Sequence, residues 1–82
     1  MLTGIQIRAA RSALNWSAEL LAEKAHLASK TVRRIESEAG VPQTTTGTLA
    51  KIQEALEAAG IEFIGTPDDG PGIRIRGTPN GG

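Results

Sequence analysis

The segment from Ser17 to Glu36 constrains the fold more than any other part of the 82-residue chain. Its apolar residues recur at the three- and four-residue spacing of a helix face, which predicts two short helices joined by a tight turn at His26–Leu27. Ser17 has a side chain that commonly caps a helix N-terminus. The residues predicted to face inward are Leu21, Ala22, Ala25, Val32 and Ile35. The second helix carries three cations on its outward face, namely Lys30, Arg33 and Arg34.

One further helix is predicted on each side of this segment. Residues 3–14 place apolar side chains on one stripe, and Thr3 is suited to cap the helix that contains them. Residues 46–59 place four apolar residues on another stripe, and Gly60 suits the position that ends such a helix. The glycine, proline and threonines of residues 38–46 predict a loop before that last helix.

Two short β-prone runs follow Gly60. Residues 61–64 and 73–76 alternate apolar and polar side chains as half-buried strands do, so we expect a small hairpin. The predicted fold is mainly α, a compact bundle of four to five helices over residues 1–60. The hairpin over residues 61–76 is expected to be a dimerisation element, and residues 77–82 a disordered tail.

Composition excludes several classes of protein. A chain of this length supports one domain with a small core, and with one Trp, one Phe and no Tyr that core must be aliphatic. Absence of cysteine rules out disulfides, thiolate metal sites and a cysteine nucleophile. No acid/base pair, nucleophile triad or metal cluster is visible, so we expect neither an enzyme nor a cofactor. Apolar runs are too short for a membrane span or a secretion signal, which favours a cytoplasmic location.

The charges are unevenly distributed along a chain whose net charge is zero. Residues 1–37 carry six cations against three anions, whereas residues 38–82 carry three cations against six anions. A basic half and an acidic half are typical of a protein that presents one face to phosphate. The low total charge also predicts modest non-specific affinity, so base contacts would have to provide much of the discrimination.

Leu21–Ala25 and Thr31–Glu36 together resemble the phage-repressor/Cro-like (XRE-type) helix-turn-helix family. Members typically read Leu-Ala-x-x-x-Gly-Val-Ser-x-x-Thr-Val-x-x-Ile-Glu here, and this chain matches most of those positions over a similarity that covers residues 3–60. The resemblance implies a lambda-repressor-like bundle and a DNA-binding transcriptional regulator of the bacterial or phage kind, commonly dimeric. It also implies that the helix of residues 29–37 lies in the DNA major groove.

The resemblance assigns roles to individual residues. The DNA base-reading residues it implies are Ser29, Lys30, Arg33 and Arg34. The phosphate-contacting residues are Ser17, Ala18, Thr31, Gln43, Thr44 and Thr45. A structural ion pair is expected between Arg11 and Glu36. The chemistry fits independently, because Arg or Lys can donate two hydrogen bonds to guanine and a helix N-terminus can hold a phosphate.

Three positions depart from the family pattern. Ala18 replaces a common glutamine, so one side-chain phosphate contact is missing. His26 replaces the usual turn glycine and must adopt or avoid a left-handed conformation. Ala28 replaces the usual serine before the recognition helix, which leaves Ser29 as the only hydroxyl there that could cap it. These departures affect the expected contacts more than the expected fold.

The dimer interface is expected in the hairpin. Its candidate residues, by hairpin packing or by strand pairing across a two-fold axis, are Ile61, Phe63, Ile73 and Ile75. A dimer would hold two recognition helices about one DNA turn apart, roughly 34 Å, so its operator would be a near-palindrome.

The sequence predicts a homodimeric, sequence-specific regulator of transcription that binds an inverted repeat in double-stranded DNA. The alternative is a protein-interaction module, such as an antitoxin or anti-regulator, that uses the same fold. Apolar residues exposed on the recognition helix would favour a protein partner. The residues predicted on that surface are the cations Lys30, Arg33 and Arg34, which favour DNA. Neither a membrane nor a small-molecule ligand is expected as a partner.

Overall fold

The computed structural model describes residues 2–76 as four α-helices followed by a two-stranded antiparallel hairpin. The elements are α1 (Gly4–Ala13), α2 (Ala18–Ala25), α3 (Ser29–Glu36), α4 (Thr46–Ala58), β1 (Ile61–Thr66) and β2 (Asp69–Ile75). The expected helical bundle with a C-terminal hairpin is therefore present, with four helices in this part of the chain. No helix within residues 2–76 is both long and apolar enough to cross a membrane. The tail predicted at 77–82 lies outside the described residues.

Three of the four helices within residues 2–76 have a hydroxyl side chain as their N-cap. Thr3 and Gln6 form a reciprocal capping box at α1: the Thr3 hydroxyl accepts from the Gln6 amide at 3.1 Å, and Gln6 Oε1 accepts from the Thr3 amide at 2.9 Å. The Ser17 hydroxyl accepts from the third amide of α2, and the Thr45 hydroxyl does the same at α4. These contacts satisfy amides that have no partner inside the helix.

The turn between α2 and α3 is tight and contains a strained residue. His26 adopts the left-handed conformation, with φ 59° and ψ 46°, and its amide bonds back to α2. Glycine adopts this conformation without the clash of a Cβ atom, so the histidine has an energetic cost here. Ala28 occupies the N-cap position of α3 and provides no side-chain bond. Ser29, the only nearby hydroxyl that could have capped α3, lies inside the helix as its first residue.

An aliphatic core lies between all four helices and the first strand. All five residues predicted to face inward from α2 and α3 are buried, and the same cluster includes Ile7, Ile52 and Leu56. Ile61 of β1 is 1% exposed and belongs to this cluster, while Phe63 and Ile73 pack against it from the hairpin. Residues 61–76 therefore share one core with the helices.

The strands are longer than the sequence predicted. Pairing extends from Ile61↔Ile75 to Thr66↔Asp69, so that only Pro67 and Asp68 form the turn. Glycine and proline between residues 65 and 72 had indicated a connecting loop. A bulge between Ile64 and Thr66, where Gly65 with φ 78° lies opposite both Gly70 and Pro71, instead allows the ladder to continue. Pro71 is tolerated because β2 is an edge strand.

Gln6 joins the hairpin to the first helix. Its Nε2 donates to the carbonyl of Ile64 at 3.2 Å and to the carbonyl of Gly72 at 2.8 Å. Both strands are therefore bound by one amide that also caps α1. On the other side of α1, the Gly4 amide donates to the Gly40 carbonyl at 3.0 Å. The absence of a side chain at Gly4 lets it lie against the backbone at the end of α3.

Candidate nucleic-acid interface

The outward face of α3 carries the three cations that the sequence placed there. Lys30, Arg33 and Arg34 are all exposed, whereas Val32 and Ile35 on the opposite face are fully buried. Ser29 and Thr31 are half-buried at the start of the helix. The face is formed because charged and apolar side chains in α3 recur at helical spacing, and its apolar side packs against α2.

Arg33 is paired with a carboxylate from the neighbouring helix. Its guanidinium forms an ion pair with Glu19 of α2, and the two side chains are 57% and 58% exposed. Exposed pairs of this kind contribute little to stability because water screens them. The pair nevertheless places an acidic side chain directly beside one of the proposed base-reading residues.

Arg34 is directed towards the loop that precedes α4. Its Nη1 donates to the Gln43 carbonyl at 3.1 Å and lies 3.9 Å from a carboxylate oxygen of Glu38. The structure thus brings together Arg34, a proposed base reader, and Gln43, a proposed phosphate contact. Lys30 differs from both arginines, since it takes part in no ion pair among residues 2–76.

The other residues assigned to phosphate lie at or before the starts of α2 and α4. Ala18 is 8% exposed, so only its backbone amide, not its side chain, is suited to a ligand. The Ser17 and Thr45 hydroxyls already accept helix amides, and Thr45 also donates to the Thr48 hydroxyl at 2.8 Å. Thr44 is half-buried in the loop. These positions offer mainly backbone amides to an anion.

Arg11 and Glu36 form a two-bond ion pair between α1 and α3. Arg11 Nε and Nη2 donate to the two carboxylate oxygens of Glu36 at 2.8 and 2.9 Å, while Nη1 donates to the Trp16 carbonyl at 2.9 Å. The hydrogen bonds from Glu36 raise the pKa of the Arg11 guanidinium; partial burial lowers it, and charge attraction raises it further. This pair fixes the buried side of α3 and leaves its cationic face outward.

The four candidates for a dimer interface differ in exposure. Ile61, one of the residues expected at the interface, lies in the core of a single chain at 1% exposure. Phe63 and Ile73 are half-buried against the same core. Ile75, which stands opposite Ile61 in the hairpin, is 58% exposed and is the member of the set that a partner could reach.

Sequence reasoning missed two residues that shape this region. Gln6 was not identified, although Thr3-x-x-Gln6 matches the capping-box pattern and could have revealed half of its role. Glu19 was counted only as a charge. Its pairing with Arg33 depends on how α2 and α3 pack, which no spacing within either helix indicates.

A groove between the end of α2 and α4 is a further surface feature, lined by Lys24, His26, Lys51, Glu54 and small residues. Lys24 lies 5.6 Å from the ring centre of Trp16. Among residues 2–76, His, Asp and Glu side chains form no group that could hold a metal ion.

No protein-family model and no curated protein matches this chain.

Proposed function

We propose that this protein is a sequence-specific, double-stranded DNA-binding regulator of transcription, in which α2 and α3 act as a helix-turn-helix. The observation that carries the proposal is the outward face of α3, where Lys30, Arg33 and Arg34 are exposed on a short helix packed across α2. A regulator of transcription acts on the chromosome, so we also propose a cytoplasmic location.

The size and chemistry of α3 fit the major groove. An α-helix is about 10–12 Å across with its side chains and so fits a groove about 12 Å wide, and the eight residues of α3 extend about 12 Å along it. Guanine presents two acceptors on its groove edge, and a lysine or arginine can donate to both of them. We assign this reading to Lys30 and Arg34, with Ser29 and Arg33 beside them on the same helix.

Phosphate contacts are proposed at the two helix starts that flank α3. The amides around Ser17 and Ala18 begin α2, and residues 43–45 lead into α4. Aligned helix amides attract anions without a charged side chain. This suits a chain whose net charge is zero, because backbone dipoles can hold the register on DNA while non-specific attraction stays modest.

We propose that the protein binds a near-palindromic operator as a homodimer through its hairpin. Ile75 is exposed on β2, an edge strand whose outer backbone groups have no strand partner among residues 2–76. Replacing Ile75 with Asp should give a folded monomer, because the side chain lies outside the core. A variant that stays dimeric in sedimentation experiments would refute this interface. Phe63 is a poorer site for this test, since it packs on the core.

Selection of random duplex DNA tests the proposed function directly. The wild-type protein should enrich an inverted repeat, and the Lys30→Ala/Arg34→Ala variant should lose it, because each two-bond base contact contributes about 1–3 kcal/mol. The matched control is Arg8→Ala/Lys51→Ala, which removes the same charge from exposed positions of α1 and α4 and should keep the motif. Equal enrichment by both double variants would refute the assignment of α3.

The alternative is a protein-interaction module, such as an antitoxin or anti-regulator. It is favoured by the zero net charge and by the pairing of Arg33 and Arg34 with carboxylates. The same selection distinguishes the two functions. A wild-type protein that is folded by circular dichroism but enriches no motif would favour a protein partner.

A further inference from the structure

Two of the three cations on α3 lie beside carboxylates from outside that helix, one on α2 and one in the loop after α3. Glu19 of α2 forms an ion pair with Arg33, and Glu38 lies 3.9 Å from Arg34. A carboxylate and a phosphate both accept hydrogen bonds from a guanidinium, so they compete for it. With Lys30, Arg33 and Arg34 as cations and Glu19 and Glu38 as anions, this surface has a net charge of only +1. The chain as a whole is neutral, so no excess of cations elsewhere adds to its attraction for phosphate.

We propose that Glu19 is a specificity-determining residue, one that holds Arg33 away from the phosphate backbone and so limits binding to DNA of arbitrary sequence. This inference rests on the DNA-binding function proposed above. Non-specific binding consists of phosphate contacts alone, so the loss of one such contact has its full effect there. On an operator, base contacts supply additional affinity, and the base contact proposed for Arg33 already takes its guanidinium away from Glu19, so removal of the carboxylate changes operator binding less.

The exposure of the pair fits this role. Glu19 and Arg33 are each more than half exposed, so either side chain can change partner without disturbing the core. Removal of the carboxylate should therefore leave the fold intact and release one guanidinium towards DNA. Arg34 is held differently, since its Nη1 also donates to the Gln43 carbonyl at 3.1 Å. The proposal therefore concerns Glu19 and Arg33.

The test compares Glu19→Gln with Glu23→Gln by fluorescence anisotropy on a mixed-sequence duplex of about two helical turns. Glu23 is exposed on the same helix, one turn away, and forms no ion pair within residues 2–76, so it controls for the lost charge. Glu19→Gln should bind about five- to tenfold more tightly at roughly 0.1 M salt, and its log–log salt slope should steepen by about 0.9. The affinity ratio between a selected operator and the mixed duplex should fall.

The decisive experiment combines Glu19→Gln with Arg33→Gln in one double variant. The gain from Glu19→Gln should disappear in the double variant, because no guanidinium remains to be released. Persistence of the gain there, or an equal gain from Glu23→Gln, would show that Glu19 acts only through general charge and would overturn the proposal. Failure of the folded wild-type protein to bind either duplex at low salt is a different result. It would refute the DNA-binding function itself, and this inference with it.

Discussion

Replacement of Gln6 by Leu should destabilise the protein far more than a single polar-to-apolar change usually does. The Gln6 side chain is buried and makes one bond to the Thr3 amide and two to hairpin carbonyls. Leucine keeps most of the volume but leaves the buried Thr3 amide without a partner, which costs about 1–2 kcal/mol, and removes two bonds worth about 0.5–1 kcal/mol each. Burial of the more apolar leucine side chain recovers part of this sum, so we expect a net loss of about 2–3 kcal/mol.

This loss is large for a domain of this size. At roughly 0.05–0.15 kcal/mol per residue, the whole chain is stabilised by about 4–12 kcal/mol. The melting temperature of the Gln6→Leu variant should fall by about 10–20 °C, since 1 kcal/mol corresponds to about 4–8 °C in domains of this length. Urea unfolding should be followed both by circular dichroism and by the fluorescence of Trp16, the single tryptophan.

Gln53→Leu is the matched control. Gln53 lies on α4 and donates to Glu57 at 2.9 Å in an exposed contact, so the same substitution there should change the free energy of unfolding by less than about 0.5 kcal/mol. Gln6→Glu adds a second comparison, because it keeps an acceptor for the Thr3 amide but loses the donor to the hairpin. If Gln6→Leu proved no more destabilising than Gln53→Leu, the bridging role of Gln6 would be refuted.

Three further substitutions, the first with a matched control, test helix packing and the turn between α2 and α3, each by thermal denaturation. Gly4→Ala should cost about 1–3 kcal/mol, because the new Cβ would collide with backbone carbonyls. Its control is Gly47→Ala on α4, where a Cβ meets open space, and this variant should be neutral or more stable by up to about 1 kcal/mol. A larger loss of stability in Gly47→Ala than in Gly4→Ala would contradict the structure. Glu36→Gln should cost about 2–3 kcal/mol by leaving the Arg11 guanidinium without a buried anion, and an unchanged melting temperature would exclude that role. His26→Gly should stabilise by about 0.5–1 kcal/mol by relieving the left-handed conformation, and a destabilised variant would show that the imidazole makes compensating contacts.

Local periodicity was sufficient to predict the helices. The sequence placed α1, α2, α3 and α4 within one or two residues of their bounds, because each helix has an apolar stripe and three of them have a hydroxyl before their first turn. The outward position of Lys30, Arg33 and Arg34 followed from the same periodicity.

Contacts between different helices and strands could not be predicted from local sequence patterns. Alternation grouped Ile61 with Phe63 and Ile73 with Ile75, but it could not show that the bundle covers Ile61 and leaves Ile75 exposed. The bonds from Gln6 to the hairpin span about sixty residues of sequence, and no local pattern indicates them. The extent of the strands was underestimated because Gly65 and Pro71 favour a loop in any local scheme.

The shared core has a consequence for how the chain opens. Since Ile61 is packed among the helices and Gln6 binds both strands, the hairpin cannot detach without exposing the core side of α1 and α4. Amide hydrogen exchange in β1 should therefore occur at the rate of global unfolding, as in a single cooperative unit. The chain is then not modular at Gly60, and recombination or truncation at that boundary would produce an incomplete fold instead of a smaller domain.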